Sequence, residues 1–180
     1  MAEGVVHWGI QNIFGVWAES RIWECRLKGK VLKESDGEYN PLSPGDEVEW
    51  EPSGPNSGMI LARKPRRNAY SRWNKKKSLP QTLAVNLDRL ILVTSPVSPP
   101  FRPRFLDRAL LMAQIENLSA LLVVNKADQG LDAEVEDRLA TYQEWGLDVH
   151  LCSAKTGEGV EELKDHLQGV VSAVVGQSGV

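Results

Sequence analysis

From Arg21 to Leu27 the chain alternates, with Trp23, Cys25 and Leu27 on one face and Ile22, Glu24 and Arg26 on the other. That is the period of a half-buried strand. Val5–Ile10 and Ile13–Trp17 before it are β-rich runs. Glu47–Trp50 alternates again, and Met59–Leu61 is a short apolar run after a loop rich in Pro, Ser and Gly. Asp36-Gly37 and Pro44-Gly45-Asp46 are turn signals. Short strands separated by such turns predict a small β-barrel, with most of the early tryptophans filling it.

From residue 88 the rhythm lengthens. Leu90–Val93 is a continuous apolar run, as in a strand covered on both faces. A proline-rich loop follows, then a helical stretch over about 104–117 with Leu106, Leu110, Met112 and Ala113 inward. Ala120–Val124 reads as the next buried strand. Ala133–Trp145 reads as a helix with Val135, Leu139 and Tyr142 on one stripe. Val149–Cys152 is a third strand, Glu158–Leu167 a third helix, and Val170–Val175 a fourth strand running into Gly176. Alternating strand and helix predicts a parallel sheet with right-handed crossovers. The fold class is therefore β plus α/β. A barrel of the oligonucleotide-binding (OB) type is expected over 1–72, a basic linker over 73–87 and an α/β domain over 88–180.

With 42% apolar and 25% charged residues, the composition is that of an ordinary globular chain. No apolar run approaches the roughly 18 residues of a membrane span, and Met1–Gly4 lacks a signal-peptide pattern. A cytoplasmic monomer without membrane contact is expected. Cys25 and Cys152 are read as reduced core residues rather than a disulfide or a metal site, and no metal ligand set is expected. The net charge of −3 conceals an asymmetry. Residues 1–62 carry 5 Lys/Arg against 10 Asp/Glu, and residues 63–77 carry 8 basic side chains and no acid. Arg63, Arg66, Arg67, Arg72, Lys75, Lys76 and Lys77, with Tyr70 and Trp73 interleaved, suit phosphate contacts plus base stacking, hence RNA. A solvated linker is the alternative.

Two motifs stand at strand ends. Asn125-Lys126-Ala127-Asp128 reads N-K-x-D, and Ser153-Ala154-Lys155 follows it at a spacing of 28. Ligands of open parallel sheets bind at the carboxyl ends of strands. Asp128 can accept from the N1–H and the 2-amino group of guanine through both carboxylate oxygens. Adenine lacks that donor pair and would leave a desolvated carboxylate unsatisfied, a basis for discrimination of about 10⁴-fold. Asn125 is expected to tie neighbouring loops together, and the stem of Lys126 to cover one face of the base. The Ala154 N–H is placed to donate to guanine O6, with the Lys155 stem beside the ring. N-K-x-D alone also occurs as an exposed loop with a helix-capping Asp; the strand before it and S-A-K after it carry the guanine reading.

Gly176, Gln177, Ser178, Gly179 and Val180 have the form of the opening of a phosphate loop, G-x-x-x-x-G-K-[ST], whose backbone N–H groups wrap an anion. A frayed Gly/Ser tail is the alternative. Base-reading motifs that precede the phosphate loop invert the ordinary GTPase order, which implies a circular permutation. The sequence is expected to stop before the loop's Lys.

With barrel, basic junction and inverted order together, the chain resembles the circularly permuted, ribosome small-subunit-dependent GTPases of the RsgA type. The resemblance is carried by Pro44-Gly45-Asp46, Pro65-Arg66-Arg67-Asn68, Ala84-Val85-Asn86-Leu87-Asp88, N-K-A-D, S-A-K and G-Q-S-G-V. It implies an OB domain, a permuted P-loop GTPase domain that is partial here, and a zinc-binding C-terminal domain outside these residues. It also implies GTP or GDP with Mg²⁺ as ligands, the small (30S) ribosomal subunit and its rRNA as partners, and GTP hydrolysis late in subunit maturation. By the resemblance, these 180 residues lack the phosphate-loop Lys and Ser, both switch segments and the Mg²⁺-linked Asp; the Lys and the metal are what neutralise charge in phosphoryl transfer. Alone they are expected not to hydrolyse GTP at a useful rate, and no catalytic residue is assigned among them. The alternative is a stand-alone RNA- or ribosome-binding module with a vestigial guanine site.

Overall fold

A computed structural model of the protein describes residues 1–29, 40–76 and 78–180. The Asp36-Gly37 turn and Lys77 lie outside the described residues. The chain divides into two compact units, Met1–Asn86 and Leu87–Val180.

In the first unit, β1 (Ala2–Ile10), β2 (Ile13–Ala18), β3 (Arg21–Leu27), β4 (Glu47–Pro52) and β5 (Ser57–Arg63) form a closed barrel in the order β1-β2-β3-β5-β4. β3 and β5 run parallel, while the other neighbours are antiparallel. The alternation of β3 is realised as read: Trp23 and Cys25 are buried, and Ile22, Glu24 and Arg26 are exposed. The inward side chains include Val6, Phe14, Val16, Val48, Trp50 and Ile60, and the Trp23 and Trp50 rings meet at 4.7 Å. Only these two tryptophans are core residues; Trp17 and Trp73 are exposed. Closure leaves the barrel no unpaired strand edge.

Gly45 turns the chain into β4 at φ +94°, and a Cβ there would stand 2.1 Å from the Val85 carbonyl oxygen. Glycine is required both for the backbone conformation and for the close approach.

β6 (Ala69–Asn74) and β7 (Leu79–Val85) form an antiparallel hairpin with Ala69 opposite Val85 and Asn74 opposite Leu79. Residues 73–87, expected as a linker, thus run from the end of β6 through β7. Tyr70, Thr82 and Val85 are buried along the hairpin, a strand pattern that the surrounding cations obscure in the sequence.

The second unit contains β8 (Arg89–Thr94), α1 (Pro103–Ile115), β9 (Ser119–Val124), a 3₁₀ turn (Ala127–Gln129), α2 (Ala133–Glu144), β10 (Asp148–Leu151), α3 (Val160–Leu167) and β11 (Ser172–Gly176). The four strands form a parallel sheet in the order β10-β9-β8-β11. Ile91, Leu121, Val123 and Cys152 pack with Leu163 and Leu167 of α3. α1 and α2 bury Leu106, Ala109, Ala113, Val135, Leu139 and Tyr142. They are joined by Asp107, which accepts from Arg138 at 2.8 Å and from the Tyr142 hydroxyl at 2.7 Å. Among the described residues β11 pairs with β8, and its Val174 is 68% exposed.

Candidate functional site

The carboxyl ends of the four parallel strands define one rim. Asn125 follows β9, Cys152-Ser153 follow β10, Gly176 ends β11, and Thr94 ends β8. Backbone bonds lace the loops together before any side chain takes part. Asn125 N donates to Thr94 O at 2.9 Å, Cys152 N to Val124 O at 3.0 Å, and Ala127 N to Cys152 O at 3.0 Å.

Asn125 extends this lacing. Its Oδ1 accepts from Ala154 N at 3.0 Å and is approached by Cys152 Sγ at 3.9 Å, so the side chain ties the two motifs together. The Ala154 N–H expected to serve guanine O6 is engaged by Asn125. Ser153 is fully buried; its hydroxyl donates to Asp128 Oδ1 at 2.7 Å and accepts from Thr156 N at 3.2 Å. Asp128 is exposed, with one oxygen anchored by that hydroxyl. A carboxylate held in this way keeps its orientation without losing its second oxygen as an acceptor.

Lys126 adopts the left-handed conformation at φ +65°, which a non-glycine residue rarely takes without a structural reason. The turn sends its ammonium to the carbonyl oxygens of Ser98, at 2.6 Å, and Gly179. The Asn125–Asp128 loop is thereby joined to Gly176–Val180, whose Gln177 Nε2 also reaches Pro100 O at 3.4 Å. Gly176, Ser178 and Gly179 are exposed, and Gln177 and Val180 half-buried. The Lys155 side chain is exposed beside Ala154.

Sequence reasoning missed two supports of this rim. His150 Nε2 lies 2.6 Å from the Gly159 carbonyl oxygen, where the ring N–H donates. Gly159 closes the S-A-K loop at φ +69°, and a Cβ there would stand 2.3 Å from Leu151 O. Neither belongs to a recognisable motif; Gly159 falls inside the helix expected over Glu158–Leu167, which starts only at Val160 because Gly159 takes the left-handed conformation.

The basic residues divide into two groups. Arg66 donates from Nε and Nη2 to the two oxygens of Asp46, both at 2.8 Å; Arg63 reaches Pro41 O at 3.0 Å, and Arg67 reaches Asn86 O at 2.8 Å. These three arginines fasten the first unit's own backbone and side chains, which is a structural use of residues expected to touch RNA. Arg72, Trp73, Lys75 and Lys76 lie exposed toward the hairpin tip, where Arg72 meets Gln81 at 3.2 Å. No helix among the described residues is long and apolar enough to cross a membrane.

The RsgA GTPase family model matches residues 63–180. A small ribosomal subunit biogenesis GTPase RsgA of Borreliella afzelii is 37% identical over 180 residues, covering 99% of this chain and 59% of that protein. The corresponding Bacillus cereus protein is 32% identical, covering 100% of this chain and 58% of its own length. Among solved structures, YjeQ from Thermotoga maritima superimposes with a TM-score of 0.75 at 28% identity, over 99% of this chain and 61% of that one. YloQ, a circularly permuted GTPase, gives 0.69 at 26% identity. The chain spans about three-fifths of the length of these relatives. With a closed OB-type barrel followed by a parallel sheet with helices, the chain belongs to the RsgA GTPase family.

Proposed function

We propose that this chain supplies guanine recognition, the start of a phosphate cradle and an RNA-binding surface to a GTPase acting in biogenesis of the small ribosomal subunit. The observation that carries the nucleotide part is the Ser153–Asp128 hydrogen bond beside the Asn125–Ala154 bridge. Together they fix a carboxylate at the carboxyl rim of a parallel sheet, where a base with adjacent N1–H and 2-amino donors can be read. Lys126 covers the base with its stem, and Ala154 and Lys155 complete the ring's surroundings. The Gly176–Val180 backbone receives the first phosphates.

Hydrolysis calls for more than these residues hold. The 180 residues contain no Gly-Lys-Ser or Gly-Lys-Thr, and the Lys126 ammonium is committed to two carbonyls. Magnesium requires hard oxygen ligands, and no group of carboxylates among the described residues is placed to hold a metal. No step is therefore assigned to the metal, and these residues by themselves turn GTP over at no useful rate.

The RNA part rests on the hairpin tip, where Arg72, Lys75 and Lys76 are exposed along with Trp73. The partner of matching chemistry is ribosomal RNA, in keeping with the names of the relatives. The nucleotide part is tested by amide NMR, which detects weak binding. GDP is expected to shift Ala154, Lys155 and Asn125, and ADP to leave them unmoved. Equal responses to both nucleotides remove the base-reading assignment.

A further inference from the structure

Phe101, Arg102, Pro103, Arg104, Phe105 and Arg108 line a cleft of about 380 Å³ with Gln177. Arg102 is the residue that caps α1, Arg104 lies in its first turn, and that turn contains no acid. The N-terminus of a helix is its positive end, so cations gathered there oppose the helix field as well as one another. Asp107, the nearest acid in the chain, is committed to Arg138 and Tyr142. Among the described residues, no carboxylate or carbonyl pairs with the guanidinium groups of Arg102, Arg104 or Arg108. All three arginines are exposed, and Arg104 also faces a cleft with Glu134 and Asp137, so water screens their repulsion, while their free donors remain open to a bound anion.

The rest of the cleft narrows the anion's identity. Phe101 and Phe105 are half-buried and flank the arginines. Gln177 adds a buried Oε1 with no hydrogen-bond partner. A bare phosphate has no use for an aromatic ring or for an acceptor. A ribonucleotide has use for both, through its base and its 2′-hydroxyl. We propose that this cleft is a second RNA-binding site. Arg102, Arg104 and Arg108 hold backbone phosphates, a phenylalanine ring supports a base, and Gln177 Oε1 accepts from a ribose hydroxyl. The inference rests on the reading that RNA is the partner, and it places a site on residues 87–180 separate from the hairpin tip.

The test measures binding of a fluorescent single-stranded RNA of about twelve nucleotides across a salt series. It uses the whole chain, the variant R102Q/R104Q/R108Q and the hairpin variant R72Q/K75Q/K76Q. The arginine variant is expected to bind at least tenfold more weakly. The slope of log K against log salt should flatten by about 2, from three neutralised phosphates at about 0.7 each. The triple Arg→Lys variant keeps most of that slope, and circular dichroism confirms that both variants fold. An unchanged slope in the arginine variant, with a loss confined to the hairpin variant, overturns this inference and leaves the RNA reading standing. Weaker binding of GTP relative to GMP, with RNA binding intact, overturns it too, by assigning the arginines to the nucleotide's own phosphates. Absence of RNA binding by the unaltered chain overturns both.

Discussion

Arg66 and Asp46 form a two-pronged ion pair, Nε to Oδ1 and Nη2 to Oδ2, both at 2.8 Å, with the Asp46 side chain wholly buried. Asp46 Oδ2 also accepts from Ser43 N at 2.7 Å. Removal of one partner from such a pair strands a buried charge, at a cost of about 3–5 kcal/mol. Arg66→Ala is therefore expected to destabilise the first unit by that amount in urea unfolding. Arg66→Lys recovers only part, because an ammonium cannot reproduce the fork. A loss below about 1 kcal/mol would show that the pair does not hold the turn.

The Ser153–Asp128 bond makes a graded prediction. Asp128→Asn replaces an acceptor with an amide that can donate, and preference is expected to move from guanine toward xanthine. Ser153→Ala keeps the carboxylate but releases it, so GDP binding should weaken about tenfold, as for one charge-assisted hydrogen bond removed. Titrations with GDP and XDP read both changes. A Ser153→Ala chain that binds GDP unchanged would mean that Asp128 needs no anchor.

At the hairpin tip, Trp73→Ala is expected to weaken RNA binding by about 1–3 kcal/mol with little effect on the salt slope, as when a base loses its stacking platform. Gln at Lys75 and Lys76 should do the reverse, flattening the slope by about 0.7 for each phosphate no longer neutralised. Equal effects of the two changes would argue against stacking by Trp73.

Periodicity revealed most of the elements, since β3, β9, α2 and α3 each show one clean stripe or run. The placement of N-K-A-D and S-A-K at strand ends was legible because both stand directly after apolar runs. What remained hidden depended on partners distant in sequence. Nothing within a run of cations discloses that Arg66 is paired with an aspartate 20 residues earlier, or that Arg67 bonds the Asn86 carbonyl. β6–β7 was obscured for the same reason: Tyr70, Thr82 and Val85 supply its inward side only once the hairpin has formed. That Ala154 N donates to Asn125 Oδ1 becomes visible only in three dimensions.

Tyr142 joins α1 to α2 from a fully buried position, and burial pushes its phenol up to about 12, with the Asp107 hydrogen bond acting in the same direction and Arg138 opposing it. The folded chain thus holds this proton more tightly than the unfolded chain does. The stabilisation is full below about pH 10 and is lost as pH rises toward 12. Ultraviolet titration should show a late phenol that Tyr142→Phe removes. If that variant retains the late phenol, the transition belongs to another residue.

Both cysteines are unpaired and buried, and burial raises the Cys25 thiol to about 11 and the Cys152 thiol above its usual value. A thiol reagent at pH 8 should find almost no thiolate in the native chain and two reactive groups after denaturation. Rapid labelling of the native protein would contradict the packing of Cys25 in the barrel.

The sheet order also dictates a sequence of assembly. β8, β9 and β10 are neighbours along the chain as well as in space, so the loops bearing Asn125 and Ser153 are enclosed by short-range closures. β11 must return from Ser172 to lie beside Arg89, closing a circuit of more than 80 residues, a slower event because long-range closure is entropically costly. The loops bearing Asn125 and Ser153 are thus expected to be laced together before β11 arrives. In a refolding experiment followed by hydrogen exchange, amides of β9 and β10 should gain protection ahead of those in β11, with the Lys126–Gly179 clasp forming last.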